Sequence, residues 1–201
     1  MNAWVISLAI YLGLAAITFI PTLLALTGPV RLNPGGPSFD DSPHFSGESK
    51  TRLEQHDRRI HGTLGFWKKQ AAVYGRFHNY VIGWTVPSSI VIPILTQVTD
   101  GTAESKLLLT VISATTALLL AFHRPFKVDS TFRAFRQGES DFYDRRRQLL
   151  DRPKSLGATE EEQVENFFQE VETIRRLVRS AEIDNFPSVE DIKSPQSTHP
   201  Q

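Results

Sequence analysis

The chain has no cysteine among its 201 residues. Disulfides, thiolate metal sites and cysteine nucleophiles are therefore excluded. Charge is missing from two long stretches: Met1–Val30 carries no Asp, Glu, Lys or Arg, and neither does Asn79–Val98. A formal net charge of zero, from 22 basic and 22 acidic side chains, hides this segregation. There is also no Gly-rich phosphate loop, no G-x-S-x-G elbow and no H-E-x-x-H pair. His56 and His61 point to different faces of a predicted helix and are poor co-ligands for a metal. Glu160–Glu162 reads as a helix-capping turn rather than a cation site. No catalytic residue, cofactor-binding residue or metal ligand is expected, and the chain reads as non-enzymatic. Arg145, Arg146 and Arg147 sit among Asp141, Asp144 and Asp151, which favours a solvated or lipid-facing surface over nucleic acid.

What the chain does have is apolar length. Tyr80–Val98 and Leu107–Phe122 are uncharged runs joined by the short polar connector Thr99–Lys106. A helix rising 1.5 Å per residue needs roughly 20 residues to cross the hydrocarbon of a bilayer. The second run is short, and snorkelling of Lys106 with mild tilt covers the remainder. Residues 80–122 are therefore read as a transmembrane helical hairpin. Ala3–Leu26 is apolar throughout, with Pro21 its only helix breaker. No basic residue precedes it, and it is long for the core of a signal peptide. Residues 1–27 thus read as an additional N-terminal transmembrane helix, with a cleaved signal peptide as the alternative.

The polar remainder is patterned. Residues 28–49 hold Pro29, Pro34, Gly35, Gly36, Pro37, Pro43 and Gly47, the composition of an irregular linker. From Lys50 to Asn79, Ile60, Leu64, Trp67, Ala71, Tyr74, His78 and Val81 recur at alternating four- and three-residue steps, a coiled-coil-like seam leading into the hairpin. Pro125, within His123–Lys127, ends the hairpin's second helix. A helix over 130–150 follows, with Val128, Phe132, Phe135, Glu139, Phe142, Arg146 and Leu149 as its seam. Glu139 and Arg146 occupy core positions and are too far apart to pair within one helix. Each is expected to meet a partner on another helix or subunit and to set register or assembly. Thr159 and Glu162 form a capping box for a helix over 160–182, whose seam is Val164, Phe167, Val171, Ile174, Val178 and Ala181. The tail, 187–201, reads as disordered. The fold class expected is an all-α integral membrane protein, the hairpin and N-terminal helix joined to long cytoplasmic coiled-coil-like helices within a 50–186 domain.

Basic residues give an orientation. Lys50–Asn79 carries seven, the connector one and His123–Arg152 eight. The positive-inside rule then puts the N-terminus and connector outside and the C-terminus in the cytoplasm of a multi-pass plasma-membrane protein. Lys68, Lys69 and Arg76 lie where anionic lipid headgroups attract cations, by about 1 kcal/mol each. Within the hairpin, Thr85, Ser89 and Thr96 share one helical face, and Thr110, Ser113 and Thr116 share another. These six are candidate pore-lining or helix-packing hydroxyls. The alternative is that they only bond backbone and neighbouring helices.

One segment reads Phe132-Arg133-Ala134-Phe135-Arg136-Gln137-Gly138-Glu139, and a later one Asn166-Phe167-Phe168-Gln169-Glu170-Val171-Glu172-Thr173-Ile174. With the preceding helix and the closely spaced apolar pair, this pattern over Gly65–Glu182 resembles the SLATT superfamily and related bacterial domains of unknown function. The resemblance implies a two-helix membrane effector of a bacterial conflict or stress-response system. Such an effector forms pores or perturbs the membrane when an associated sensor is triggered. The apolar N-terminal segment is extra to that plan, and no sensor is fused, so a separate sensor protein is implied. Two functions are therefore expected to compete: a self-associating, homo-oligomeric membrane effector, or a membrane-anchored helical scaffold.

Overall fold

The structure is a computed structural model and describes residues 2–32, 37–124 and 126–184. Pro34, Gly35 and Gly36 of the linker, Pro125 of the basic turn and the tail from residue 187 lie outside the described residues. The described chain is all-helical, with five α-helices: α1 (Ala3–Thr27), α2 (Gly47–Val98), α3 (Ala103–His123), α4 (Val128–Asp151) and α5 (Glu160–Asp184). One 3₁₀ turn, Pro153–Ser155, separates α4 from α5. The chain divides into two units, one made by the N-terminal stretch to Gly28 with Val73–Asp129, the other by Pro29–Ala72 with Ser130–Asp184. Helix α2 supplies residues to both.

In the first unit, α1, the second half of α2 and α3 are each long and apolar enough to cross a membrane. Pro21, Pro87 and Pro93 sit inside continuous helix. Each removes one amide donor, a loss tolerated in apolar surroundings only where other groups compensate. The connector is closed by Asp100 and by Thr102, whose hydroxyl caps α3 by accepting from Ser105 N at 3.4 Å. Apolar side chains are abundant on the outside of this unit: Ile10, Ile17, Ile90, Val98 and Leu118 are each more than half exposed. Water-soluble domains rarely present apolar surface so continuously, whereas lipid covers it without cost.

The second unit has the opposite pattern, polar outside and apolar within. Its core joins Leu53, Ile60, Leu64 and Trp67 of α2 to Phe135, Phe142 and Leu149 of α4 and Val164, Phe167, Val171 and Val178 of α5, all buried. The three heptad-like seams expected from sequence follow the buried faces for most of their length; Tyr74, His78, Phe132 and Ala181 are half-buried, and Thr131 beside Phe132 is buried. Gly138 of α4 permits this closeness. A Cβ there would collide with the Val178 side chain and lie 3.4 Å from the Trp67 ring. The capping box forms as expected, with Glu162 N donating to Thr159 Oγ1 at 3.3 Å and Thr159 N to Glu162 Oε2 at 3.2 Å.

The stretch expected to be a linker is partly built into this core. Phe39 and Phe45 are buried, and Phe39 meets the Phe167 ring edge-on at 6.2 Å between centroids. Ser46 donates to Glu160 Oε1 through both its amide (2.8 Å) and its hydroxyl (2.6 Å), fastening the start of α2 to the start of α5. These bonds hold the exposed Glu160 carboxyl below the usual carboxylate range. Helix α2 accordingly begins at Gly47, three residues before the expected start.

Candidate functional site

The hydroxyls expected to share a lining do not converge within one chain. The packing face of α2 is Val81, Thr85 and Ser88, which are buried, with Trp84, Ile92 and Leu95 half-buried. Thr85 lies on it. Ser89 and Thr96 are exposed, and each spends its proton on its own helix: Ser89 Oγ donates to Val86 O at 2.7 Å and Thr96 Oγ1 to Ile92 O at 2.8 Å. On α3, Thr110 is exposed, while Ser113 and Thr116 are half-buried. Thr116 Oγ1 donates to Ile112 O at 2.8 Å. Self-bonding of this kind satisfies a hydroxyl without a neighbour, which is why hydroxyl spacing alone overstates a polar stripe. Ser88, one position from the expected face, is the serine that packs.

Polar groups do converge between α1 and α2. Trp84 Nε1 donates to Thr18 Oγ1 at 2.9 Å, and Thr18 Oγ1 donates in turn to Leu14 O at 2.7 Å. Tyr80 donates to Ala15 O at 3.3 Å, and Arg76 Nη1 to Pro21 O at 2.8 Å. At the opposite end, Trp4 Nε1 donates to Asp100 Oδ2 at 3.1 Å. Hydrogen bonds from Thr102, Ser105 and Trp4 hold the Asp100 carboxyl far below the usual carboxylate range. Tyr11 and Trp84 meet edge-to-face at 5.1 Å, Phe19 and Tyr80 at 5.0 Å. The α1 seam is therefore Trp4, Leu8, Tyr11, Ala15, Phe19, Thr22 and Ala25, the residues that are buried or half-buried along it. An apolar run with so few polar members disguises such a seam in the sequence.

In the second unit, Glu139 and Arg146 are 4 % and 6 % exposed, as core positions require. Glu139 lies 3.5 Å from Lys68 Nζ of α2 and accepts from Arg136 Nη1 at 3.0 Å. Arg146 Nη2 donates to Pro37 O at 2.9 Å, and its guanidinium stands 5.0 Å over the Phe39 ring. Asp57 of α2 feels the Arg146 charge, yet burial outweighs it and pushes the Asp57 carboxyl up. Tyr143, whose hydroxyl is also pushed up by burial, is coupled to Glu139, Asp57 and Arg146. The two charges expected to find partners on another helix or subunit find them on α2 and on the residues before it, in the same chain. Glu139 thereby ties α4 to α2, and Arg146 ties α4 to the residues before α2. Lys68 was expected at lipid headgroups rather than at Glu139, and Asp57 was not singled out from sequence, although their spacing from Trp67 and Ile60 marks both as flanking the seam.

His56 stacks on Phe168 at 4.3 Å, where burial and the nearby Arg175 and Arg59 lower its imidazole pKa. A groove of the second unit runs between α4 and α5, where Arg145 and Glu170 pair across it at 3.3 Å. Among the described residues there is no cluster of three or more His, Asp or Glu able to hold a metal ion. No family model matches the chain, and neither a curated protein nor a solved structure is found to be similar to it.

Proposed function

We propose that the chain is a multi-pass membrane protein in which an inner helical module acts on a membrane-embedded hairpin, as a self-associating effector. In this reading α1, residues 80–98 of α2 and α3 lie in the plasma membrane, with the N-terminus outside and the second unit in the cytoplasm. The SLATT-like pattern supports it, with a separate sensor protein as trigger and anionic lipid at the basic inner boundary. The observation that carries it is the continuity of α2. One uninterrupted helix, Gly47–Val98, holds core residues of the inner module at one end and the hairpin's packing face at the other. A change in packing of the inner helices is thereby presented to the hairpin without an intervening loop.

Self-association gives the exposed hydroxyls a role. Ser89 and Thr96 face outward from a single chain, towards lipid or towards a second copy. Inducible expression tests this: membrane depolarisation is expected from the native chain and should be blunted in Ser89→Leu or Ser113→Leu. A scaffold without channel activity is favoured by one specific observation, the bonding of Ser89, Thr96 and Thr116 to their own helices. An intact membrane potential on expression, with a partner still captured by the inner helices, would establish that alternative.

A further inference from the structure

Two imidazoles meet where α2 and α3 approach the inner boundary. His78 Nδ1 and His123 Nε2 are 2.9 Å apart, with ring centroids at 5.2 Å and planes inclined by 32°. Behind His78, Asp129 Oδ1 of α4 stands 4.0 Å from its other nitrogen, Nε2. Both histidines are half-buried, and all three residues belong to the first unit. His78 lies on the predicted α2 seam, one step before Val81, and His123 closes α3; neither the hydroxyl faces nor the charge pattern accounts for them.

The geometry fixes the protons. Nitrogens this close require one N–H and one lone pair between them. When both rings are neutral, one arrangement also serves the carboxylate. His123 donates Nε2–H to His78 Nδ1, leaving Nε2–H of His78 directed at Asp129. Adding one proton keeps the contact, because a His78 imidazolium donates Nδ1–H to a neutral His123 and Nε2–H towards Asp129. Adding a second removes the last lone pair. Two N–H groups and two positive charges then face each other at hydrogen-bond distance, and a single carboxylate offsets only one of them. The remaining charges nearby in sequence, Arg76 on α2 before His78 and Arg124 and Lys127 in the turn after α3, are also positive.

We propose that His78 and His123, backed by Asp129, form a proton-sensitive latch that closes the inner end of the hairpin and opens on acidification. Separated imidazoles each take up a proton as pH falls through about 6.5. The closed pair accommodates one, so lowering the pH through this range favours the open arms. The latch rests on the hairpin's geometry and is independent of whether the protein permeabilises membranes.

Because the native chain lacks cysteine, spin labels can be placed cleanly at Asn79→Cys and Phe122→Cys, and their separation measured in the full chain in detergent at pH 7.5 and pH 5.0. In the otherwise native chain the distance distribution should shift to longer values at pH 5.0, reversibly. In His123→Gln it should stay short at both, since the amide donates to neutral His78 and accepts from protonated His78. The double variant His78→Gln/His123→Gln, which keeps an amide–amide bond and has no titrating ring, should also stay short. An unchanged distance in the native background, or equal lengthening in either glutamine variant, overturns the latch.

Discussion

Phe39 offers the sharpest test of how the second unit is built, because the surrounding composition reads as a linker. Its side chain is 1 % exposed, packed against Phe167 and beneath the Arg146 guanidinium. Phe39→Ala removes about 1.5–3 kcal/mol of transfer free energy. The cavity left behind brings a buried Phe→Ala loss to about 3–5 kcal/mol. The guanidinium also loses a partly desolvated ring, an effect of about 1–2 kcal/mol that overlaps the first and does not add in full. Phe39→Leu separates the two, since it restores most of the volume without the π face. Of the three tryptophans only Trp67 lies in this unit, so its fluorescence in a Trp4→Phe/Trp84→Phe background reports on it. At about 2–4 °C per kcal/mol, Phe39→Ala should lower the Trp67 midpoint by about 6–20 °C. Phe39→Leu should fall between it and the parent. A Phe39→Ala shift below about 2 °C would refute the docking of residues 37–46 onto the helices.

Gly138→Ala should destabilise the same unit by about 1–3 kcal/mol, because overpacking against Val178 outweighs the better helix propensity of alanine, and thermal denaturation followed at Trp67 measures it. Glu139→Leu should leave the particle size of the detergent-solubilised protein unchanged on light scattering, since Lys68 and Arg136 lie in the same chain; a changed size would move this ion cluster to an interface. For His56, whose folded imidazole sits below its ordinary value, the native state binds fewer protons than the unfolded chain. Stability should therefore decline as pH falls from about 6.5, and His56→Phe, which keeps the stack on Phe168, should flatten that decline in denaturant titrations between pH 7.5 and 5.5.

Helix type and extent were readable from periodicity because the buried faces of α2, α4 and α5 obey it closely, down to Trp67, Phe142 and Val171. The capping box at Thr159 and Glu162 was equally legible, since its bonds are local. Contacts between distant segments were not. Phe39 and Phe45 lie in a stretch whose Pro and Gly content masks their burial, although two isolated aromatics in polar surroundings were a usable signal. The packing hydroxyls were less legible: the α2 packing face carries Thr85 and Ser88 rather than Ser89 and Thr96, set by neighbours on other helices that spacing cannot supply. Glu139 and Arg146 were recognised as core charges, but the side chains that neutralise them, Lys68 among them, flank a seam rather than occupy it.

The clasp between α1 and the rest of its unit bears on how the protein is made. Its hydrogen-bond partners lie 55 residues onward at Arg76 and 96 residues onward at Asp100, so none has been synthesised when α1 leaves the ribosome. In the membrane reading proposed above, entry of α1 into the bilayer is driven by its own apolarity, with Trp4 and Thr18 left waiting for later arrivals. On the same reading, proteolytic removal of α1 after assembly would strand the Trp84 indole and the Tyr80 phenol in surroundings where water is scarce as a substitute.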